Sequence, residues 1–251
     1  MQPEHPDDHI PTAAAIGSLA FIATMIIHEG FGHGGVCAAI GGRIVLYPVS
    51  MQSNIDSRLM VAAGPLANLL AGAALWLLLT RSTRISTHLR YFLWLTAAFN
   101  LFNAAGYAGL GALTGFGDWG VLLRWTRLPW VFRIGVALLA GILYYVFMRA
   151  LAFAAGGFLG KRLVLAPYLA AGITAILAAS LSRLGVGYLA VAAAASLGAG
   201  WGLLVIHDWG QASRRPFSAA RLSRSNGWIF GSLVATIAFV VLIGRGLTMG
   251  R

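Results

Sequence analysis

The sequence predicts an all-α, polytopic membrane protein with about six to seven transmembrane helices and a short β-edge or hairpin after the first of them. Of its 251 residues, 59% are hydrophobic and only 10% are charged. Its apolar runs repeatedly reach the roughly 20 residues that a helix needs to cross a bilayer. The Arg residues fall mainly between those runs, as expected of loops that face anionic lipid headgroups.

About seven apolar runs carry this prediction. They cover approximately residues 11–40, 62–79, 91–113, 130–153, 163–181, 186–206 and 228–243. The lead-in at 1–10 is acidic and lacks the basic segment of a signal peptide, so we expect the first run to be retained as a membrane span. Lys and Arg are divided too evenly between the two sides to predict an orientation.

The segment that follows the first run reads as a strand. After Gly41 and Gly42, residues 43–47 are mostly β-branched, aliphatic or aromatic, and Pro48 interrupts them. This pattern predicts an edge strand or hairpin over residues 43–54, and an exposed edge of that kind can pair with an extended peptide.

Ionisable residues inside the first apolar run indicate a functional site. His28, Glu29 and His33 lie in a stretch that is otherwise apolar, where an unpaired ionisable group is costly. On an ideal α-helix, residues five apart differ by about 140° around the axis, so both imidazoles could not face one metal ion. A π-helical turn would bring them to one face, and the glycines at 30, 32, 34 and 35 weaken the α-helix enough to permit it, or to let the helix unwind at His33. We therefore expect a bulge or a break between Glu29 and His33. The alternative is a glycine-rich helix whose His residues serve only packing.

A site with two His ligands needs a third protein ligand, and Asp118 is the best candidate. It lies in the glycine-rich break Thr114–Gly120 at the end of the third apolar run. Alternatively, Asp118 caps a helix or pairs with Arg124 or Arg127.

Three Asn residues are candidates for polar support of such a site. Asn68 ends the stretch Ala62-Ala-Gly-Pro-Leu-Ala-Asn68, which opens the second run. Asn100 and Asn103 lie three apart on one face of the third run. The single cysteine, Cys37, excludes an internal disulfide and is most simply a buried packing residue.

These residues resemble the motifs of the site-2 protease family of intramembrane zinc metalloproteases. The resemblance rests on His28-Glu29 with His33, on the stretch that ends at Asn68, and on Asn100-Leu-Phe-Asn103 leading to Asp118, and it covers roughly residues 15–125. The first motif has one residue more between Glu and His than the usual His-Glu-x-x-His. The resemblance implies one zinc ion held by His28, His33 and Asp118, with Glu29 as general base and a β-edge that aligns an unwound substrate.

On this interpretation the chain has a polar lead-in at 1–10, a metalloprotease-like three-helix catalytic core at 11–125 and additional transmembrane helices at 126–251. We expect a multi-pass protein of a bacterial or archaeal cell membrane that acts on a membrane protein or peptide. No basic cluster with interleaved aromatics suggests a nucleic-acid partner. Two alternatives remain: a non-catalytic scaffold relative, and an ion- or proton-coupled transporter that uses the same His, Glu and Asp groups.

Overall fold

The computed structural model describes residues 8–82, 84–155, 158–207, 209 and 221–250, so most of the lead-in at 1–10 lies outside the described residues. The described chain is mostly helical, with one small sheet. Its elements, in chain order, are α1 Ile10–Met25, a π-helix Ile26–Gly34, α2 Gly35–Ala39, β1 Ile44–Tyr47, β2 Ser50–Ser53, α3 Arg58–Arg81, α4 Thr87–Thr114, α5 Gly117–Trp125, α6 Trp130–Ala155, α7 Lys161–Ser180, α8 Gly187–Ala193, a second π-helix Ala194–Gly198, α9 Gly202–Ile206, α10 Asn226–Leu242 and β3 Leu247–Met249.

Five helical stretches in the described residues are long and apolar enough to cross a membrane. This confirms the prediction of a multi-pass, helical membrane protein. The stretches are Ile10–Ala39, Arg58–Arg81, Trp130–Ala155, Lys161–Ser180 and Gly187–Ile206. Many large apolar side chains on α6 face outwards, as expected of a helix in contact with lipid.

The helix α4 lies among the others and contacts α1, α3, α5 and α6. Its aromatic residues Tyr91, Trp94 and Phe102 are fully buried. In the same helix, the Asn100 side chain donates a hydrogen bond of 3.0 Å to the Thr24 hydroxyl of α1. Because protein rather than lipid surrounds much of α4, this helix can carry more polar residues than the five apolar stretches.

The second half of the chain packs directly against the first. The helix α1 contacts both α7 and α10. Gly17 of α1 lies so close to Pro167 of α7 that a Cβ on the glycine would overlap the proline. One buried cluster of hydrophobic side chains draws residues from α1, α4, α6, α7 and α10. The helices after residue 126 therefore share a core with the helices that precede them.

The sheet has the strand order β2-β1-β3, with both pairings antiparallel. The strands β1 and β2 form a hairpin in which Tyr47 lies opposite Ser50, which confirms the prediction of a strand or hairpin after the first span. The other edge of β1 is covered by β3, with Ile44 opposite Met249. The sequence analysis expected a free edge on this hairpin that could pair with an extended peptide. In the structure, the edge of β1 that does not face β2 is paired with β3, a distant segment of the same chain.

Candidate metal centre

The π-helix brings His28 and His33 to the same side of the first long helix. Its backbone follows the i to i+5 pattern, and the N–H of Gly35 accordingly donates to the carbonyl of Gly30. The two imidazole rings lie edge to face, with centroids 4.8 Å apart and an angle of 85° between their planes. The sequence predicted a bulge or a break between Glu29 and His33, and the structure has a π-helical bulge, which extends over the nine residues Ile26–Gly34.

Three ligand-type atoms converge in front of the π-helix. The Nε2 atoms of His28 and His33 are 3.2 Å apart. The Oδ2 atom of Asp118 lies 3.1 Å from the first of these nitrogens and 3.4 Å from the second. The structure thus brings together the two His residues and the Asp that the sequence analysis paired with them.

The position of Asp118 follows from the turn between α4 and α5. Gly115 and Gly117 both adopt positive φ, at 77° and 69°, which lets the chain reverse within two residues and places Asp118 in the first turn of α5. The residue before that helix, Phe116, provides no side-chain cap, and the Arg124 guanidinium donates to the Gly115 carbonyl. Asp118 therefore contacts the imidazoles rather than capping α5.

The Asp118 carboxylate is the most accessible of the three converging groups. Its side chain is 23% exposed, against 6% for His28 and 1% for His33. Partial burial raises the pKa of the Asp118 carboxyl, but the hydrogen bonds to the two imidazoles outweigh that effect and hold its pKa well below the ordinary value. In its ionised form this carboxylate can act as an anionic ligand.

Each imidazole is also held through its second nitrogen. The Nδ1 atom of His33 donates to the backbone carbonyl of Met60 at 2.8 Å, since that carbonyl can only accept. The Nδ1 atom of His28 lies 3.0 Å from the side-chain amide of Asn68, which in turn donates to Asn103 at 2.9 Å. Metal-binding His residues are commonly oriented by such contacts.

The candidate Asn residues have different partners. Asn68 and Asn103 lie behind His28, whereas the side-chain nitrogen of Asn100 donates to Thr24 and to the Thr96 carbonyl.

The sequence analysis did not predict the contact of His33 with the Met60 carbonyl. Every residue type has a backbone carbonyl, so no pattern of residue types marks the one that will accept this hydrogen bond.

Two glycines allow α3 to approach the site closely. A Cβ on Gly64 of α3 would overlap the His33 ring and would lie 2.9 Å from the Nε2 atom of His28. A Cβ on Gly32 of the π-helix would lie 2.6 Å from the Cα of Gly64. The stretch that ends at Asn68 therefore supplies both a close backbone surface and a polar contact for the imidazoles.

Glu29 is buried beside the two imidazoles. His28, Glu29 and His33 each offer a ligand-type atom, and these atoms lie within 4.8 Å of one another. The Oε2 atom of Glu29 is buried and has no hydrogen-bond partner among the described residues. A buried acceptor without a donor is costly, so this oxygen is available to a water molecule or a substrate group.

An apolar cavity of about 320 Å³ adjoins the Glu29 side of the π-helix. Besides Glu29, residues of β1, β3 and α10 line it, including Leu46, Phe239 and Met249.

In comparisons with protein-family models, curated proteins and solved structures, no match to this chain was found. The chemistry of the site is therefore argued from its own geometry.

Proposed function

We propose that the protein is a zinc-dependent, intramembrane endopeptidase-like hydrolase that cleaves a peptide bond of a membrane-embedded substrate. The observation that carries this proposal is the convergence of His28 Nε2, His33 Nε2 and Asp118 Oδ2, with separations of 3.1 to 3.4 Å. Zinc ligands at about 2.0 to 2.1 Å in a tetrahedron are separated from one another by roughly 3.3 Å. The donor set and its dimensions fit one zinc ion with a fourth position open.

The contact with Met60 supports a metal-binding form of His33. In a neutral His33, Nδ1 carries the proton that is donated to the Met60 carbonyl, so Nε2 has the lone pair that a metal needs, and a bound metal would replace its hydrogen bond to Asp118. At His28 the contact has the opposite direction: the Asn68 amide nitrogen donates to Nδ1 and to Asn103 Oδ1, so a neutral His28 carries its proton on Nε2 and would release it when a metal binds there. Hydrogen bonds or a bound cation could satisfy these three atoms, and their nearly equal separations support the cation.

Glu29 is suited to move a proton. A zinc ion held by His28, His33 and Asp118 would supply a Lewis acid that lowers the pKa of a bound water to about 7 and polarises a substrate carbonyl. The buried Oε2 of Glu29, which has no donor in the described structure, accepts the proton of the attacking water and returns it to the leaving amine. Burial of Glu29 and both imidazoles strengthens these interactions because bulk water does not screen them.

The position of Asp118 favours the hydrolase over a transporter that would use the same groups. A proton relay through His28, Glu29 and His33 does not need a third ligand at metal-binding distance from both imidazoles. The contacts of 3.1 Å and 3.4 Å supply that ligand. The resemblance to the site-2 protease family supports the same proposal through the His-Glu, Asn68 and Asn103-to-Asp118 motifs.

The proposal includes seven membrane crossings, with α4 and α10 added to the five apolar stretches. The backbone N–H of His9, before α1, donates to the Leu222 carbonyl, before α10, at 2.8 Å. A membrane core about 30 Å thick would prevent that contact unless an even number of crossings separates the two residues. The five apolar stretches all lie between them, which supports a sixth crossing, and α4 is long enough to supply it with 28 residues.

The pairing of β1 with β3 bears on α10 in the same way, because two paired strands lie on one side of the membrane and an even number of crossings must separate them. Four of the apolar stretches lie between these strands. Together with α4 they would make an odd number of crossings, which supports a further crossing by α10. Its 17 residues span about 26 Å, at the lower limit for a membrane helix. The bond of 3.1 Å from the Val49 N–H to the Tyr188 hydroxyl agrees with this arrangement, because it joins the hairpin to the start of α8.

The metal content of the detergent-purified full chain tests the proposed function. We expect about one zinc per chain in the wild type and its loss in His33→Ala and in Asp118→Ala. Glu29→Gln should keep the zinc and lose hydrolysis of a membrane-embedded peptide, because it removes the proton acceptor and leaves the three ligands. His88→Ala is the matched control, since that His contacts the Ser223 carbonyl instead of the site. A wild type without zinc after the metal is supplied would refute the hydrolase.

A further inference from the structure

A second cavity, of about 750 Å³, lies between α4, α6 and the second π-helix, and we call it the α4–α6 groove. No charged side chain is among the described residues that line it. The Tyr144 hydroxyl in its lining is already bonded, since it donates to the Ala199 carbonyl at 2.7 Å and accepts from the Gly202 N–H at 2.9 Å. Leu113 and Tyr145, which also line it, are about half exposed, so the groove is open to the outside. A groove of this kind suits a hydrocarbon chain.

Small residues of α6 make room for the groove. Ala137, Ala140 and Gly141 line it at helical spacing on one face of the helix. A Cβ on Gly141 would meet no described atom within 4 Å beyond its own stretch of helix backbone and its chain neighbours. Arg133 lies one turn before Ala137 on the same face. The groove therefore leads along α6 towards a cationic side chain.

The Arg133 guanidinium has N–H groups without an acceptor. Its Nε and Nη2 atoms are buried and have no hydrogen-bond partner among the described residues. Within that part of the chain, neither Arg133 nor Arg124 forms an ion pair with a carboxylate. The Arg133 Cζ atom lies 5.8 Å from the centre of the Trp130 ring. A buried donor without an acceptor is costly, and a guanidinium can give two parallel hydrogen bonds to one carboxylate or phosphate group.

A second guanidinium lies at the same turn of the chain. The position of a Cβ on Gly115 is 3.2 Å from Arg124 Nη1 and 3.9 Å from Arg133 Nη2. Arg124 donates to the Gly115 carbonyl, which fixes its guanidinium at this turn. Leu113, which lines the groove, is two positions before Gly115. One end of the apolar groove and two cationic groups therefore meet at the end of α4.

We propose that the α4–α6 groove and these two guanidinium groups form a binding site for one anionic phospholipid, with its phosphate at Arg133 and Arg124 and an acyl chain along α6. The long Arg133 side chain can turn its two unbonded N–H groups towards a phosphate oxygen. A zwitterionic headgroup would bring its own cation towards the two guanidinium groups, so the site favours a headgroup with a net negative charge.

The place of the site along α6 agrees with a lipid headgroup. The apolar stretch that includes α6 begins at Trp130, and Trp and Arg residues are common where a membrane helix meets the headgroup layer. The site includes none of the proposed metal ligands. Lipid binding at this site therefore needs neither zinc nor hydrolysis.

Native mass spectrometry of the detergent-purified full chain tests the headgroup. The probes are dioleoyl phosphatidylglycerol and dioleoyl phosphatidylcholine, which have the same acyl chains. We expect one phosphatidylglycerol per chain, bound at least roughly tenfold more tightly than phosphatidylcholine. Arg133→Gln should lower the affinity for phosphatidylglycerol by about tenfold or more. Arg183→Gln is the matched control, because it removes the same charge from the exposed loop after α7.

A second pair of variants tests the groove separately from the headgroup. Gly141→Leu places a side chain in the cavity and should lower the affinity for phosphatidylglycerol by about tenfold or more, because several methylene groups of the acyl chain lose their place. Gly135→Leu is the control, since this position is in the same helix, has similar space around a Cβ and does not line the groove. Melting temperatures in detergent without lipid show whether each variant is folded, and phosphatidylglycerol should raise them in both controls.

Three results would overturn the lipid site. One is equal affinity of the wild type for the two lipids, which would indicate contact with bulk lipid only. Another is an Arg133→Gln variant that binds phosphatidylglycerol as tightly as Arg183→Gln does. The third is displacement of the lipid by excess inorganic phosphate together with unchanged binding in Gly141→Leu, which would indicate a site for free phosphate. Zinc content of the same samples separates the two proposals, because a protein without zinc that still selects phosphatidylglycerol refutes only the hydrolase.

Discussion

The Nε2 atoms of His28 and His33 lie 3.2 Å apart although the residues are five positions apart in a continuous helix. A regular α-helix would direct the two side chains about 140° away from each other. The π-helix removes this separation at the cost of weaker local backbone packing, which the four glycines between residues 30 and 35 make easier to adopt. The five-residue spacing of the two His residues therefore needs a π-helix if both imidazoles are to face the same side.

Gly64→Ala should weaken zinc binding, because the added methyl group would overlap the His33 ring and come within 2.9 Å of the His28 Nε2 atom. We expect a decrease in zinc affinity of about 10- to 100-fold, the range seen when groups that orient metal ligands are lost. Zinc titration of the purified variant measures it. Gly141→Ala is the control, since a Cβ there would meet no described atom within 4 Å beyond its own stretch of helix backbone and its chain neighbours. Unchanged zinc affinity in Gly64→Ala would contradict the close approach of α3.

Asn68→Ala should also lower zinc affinity by about 10- to 100-fold, because it removes the side-chain amide from His28 Nδ1. Asn100→Ala is a matched comparison: it is equally buried, but its nitrogen bonds to Thr24 and Thr96. That variant should lose about 1 to 3 kcal/mol of unfolding free energy and keep its zinc. Competition with a fluorescent chelator gives the affinities, and thermal melts in detergent give the stabilities. Equal zinc loss in both variants would point to general unfolding.

Zinc should stabilise the folded protein, because the folded state brings together three ligand atoms that are far apart in an unfolded chain. At a free zinc concentration about 100 times the dissociation constant, the stabilisation is about 2.7 kcal/mol. A thermal melt in detergent should therefore shift upwards with zinc and return to its starting point with a chelator. Asp118→Asn should show a much smaller shift, since it replaces the anionic ligand. A shift of the same size in Asp118→Asn would mean that zinc acts elsewhere.

Seven crossings predict which loops share a side of the membrane. In a Cys37→Ser background, single cysteines at Gln52 and Arg183 should react with an impermeant thiol reagent from one side of oriented vesicles. Cysteines at Ser86 and Ser223 should react only from the other side. These positions lie in the hairpin, after α7, before α4 and before α10. If the cysteines at 52 and 86 reacted from the same side, α3 would not cross the membrane. If those at 86 and 183 reacted from the same side, an even number of helices would cross between them, which would contradict crossings by all three of α4, α6 and α7.

Much of the local structure was predictable from the sequence, because it depends on neighbouring residues. Apolar runs of membrane-spanning length specify helices, since only a helix satisfies all its backbone groups within one segment in lipid. The five-residue spacing of His28 and His33, with glycines between them, was enough to predict the π-helical turn. The residues 43–54 carried the pattern of a hairpin and formed one.

Tertiary structure decided which distant groups meet. Asp118 is 90 positions from His28, and only the turn between α4 and α5 brings its carboxylate to the imidazoles. The Met60 carbonyl that holds His33 has no residue-type signal, and the pairing of β3 with β1 joins segments about 200 positions apart. Hydrophobic periodicity and backbone preference act over a few residues, whereas long-range partners are selected by the packing of whole helices. The sequence by itself determined the apolar helices and the pair of imidazoles, whereas packing decided that Asp118 meets these imidazoles and that β3 covers the edge of β1.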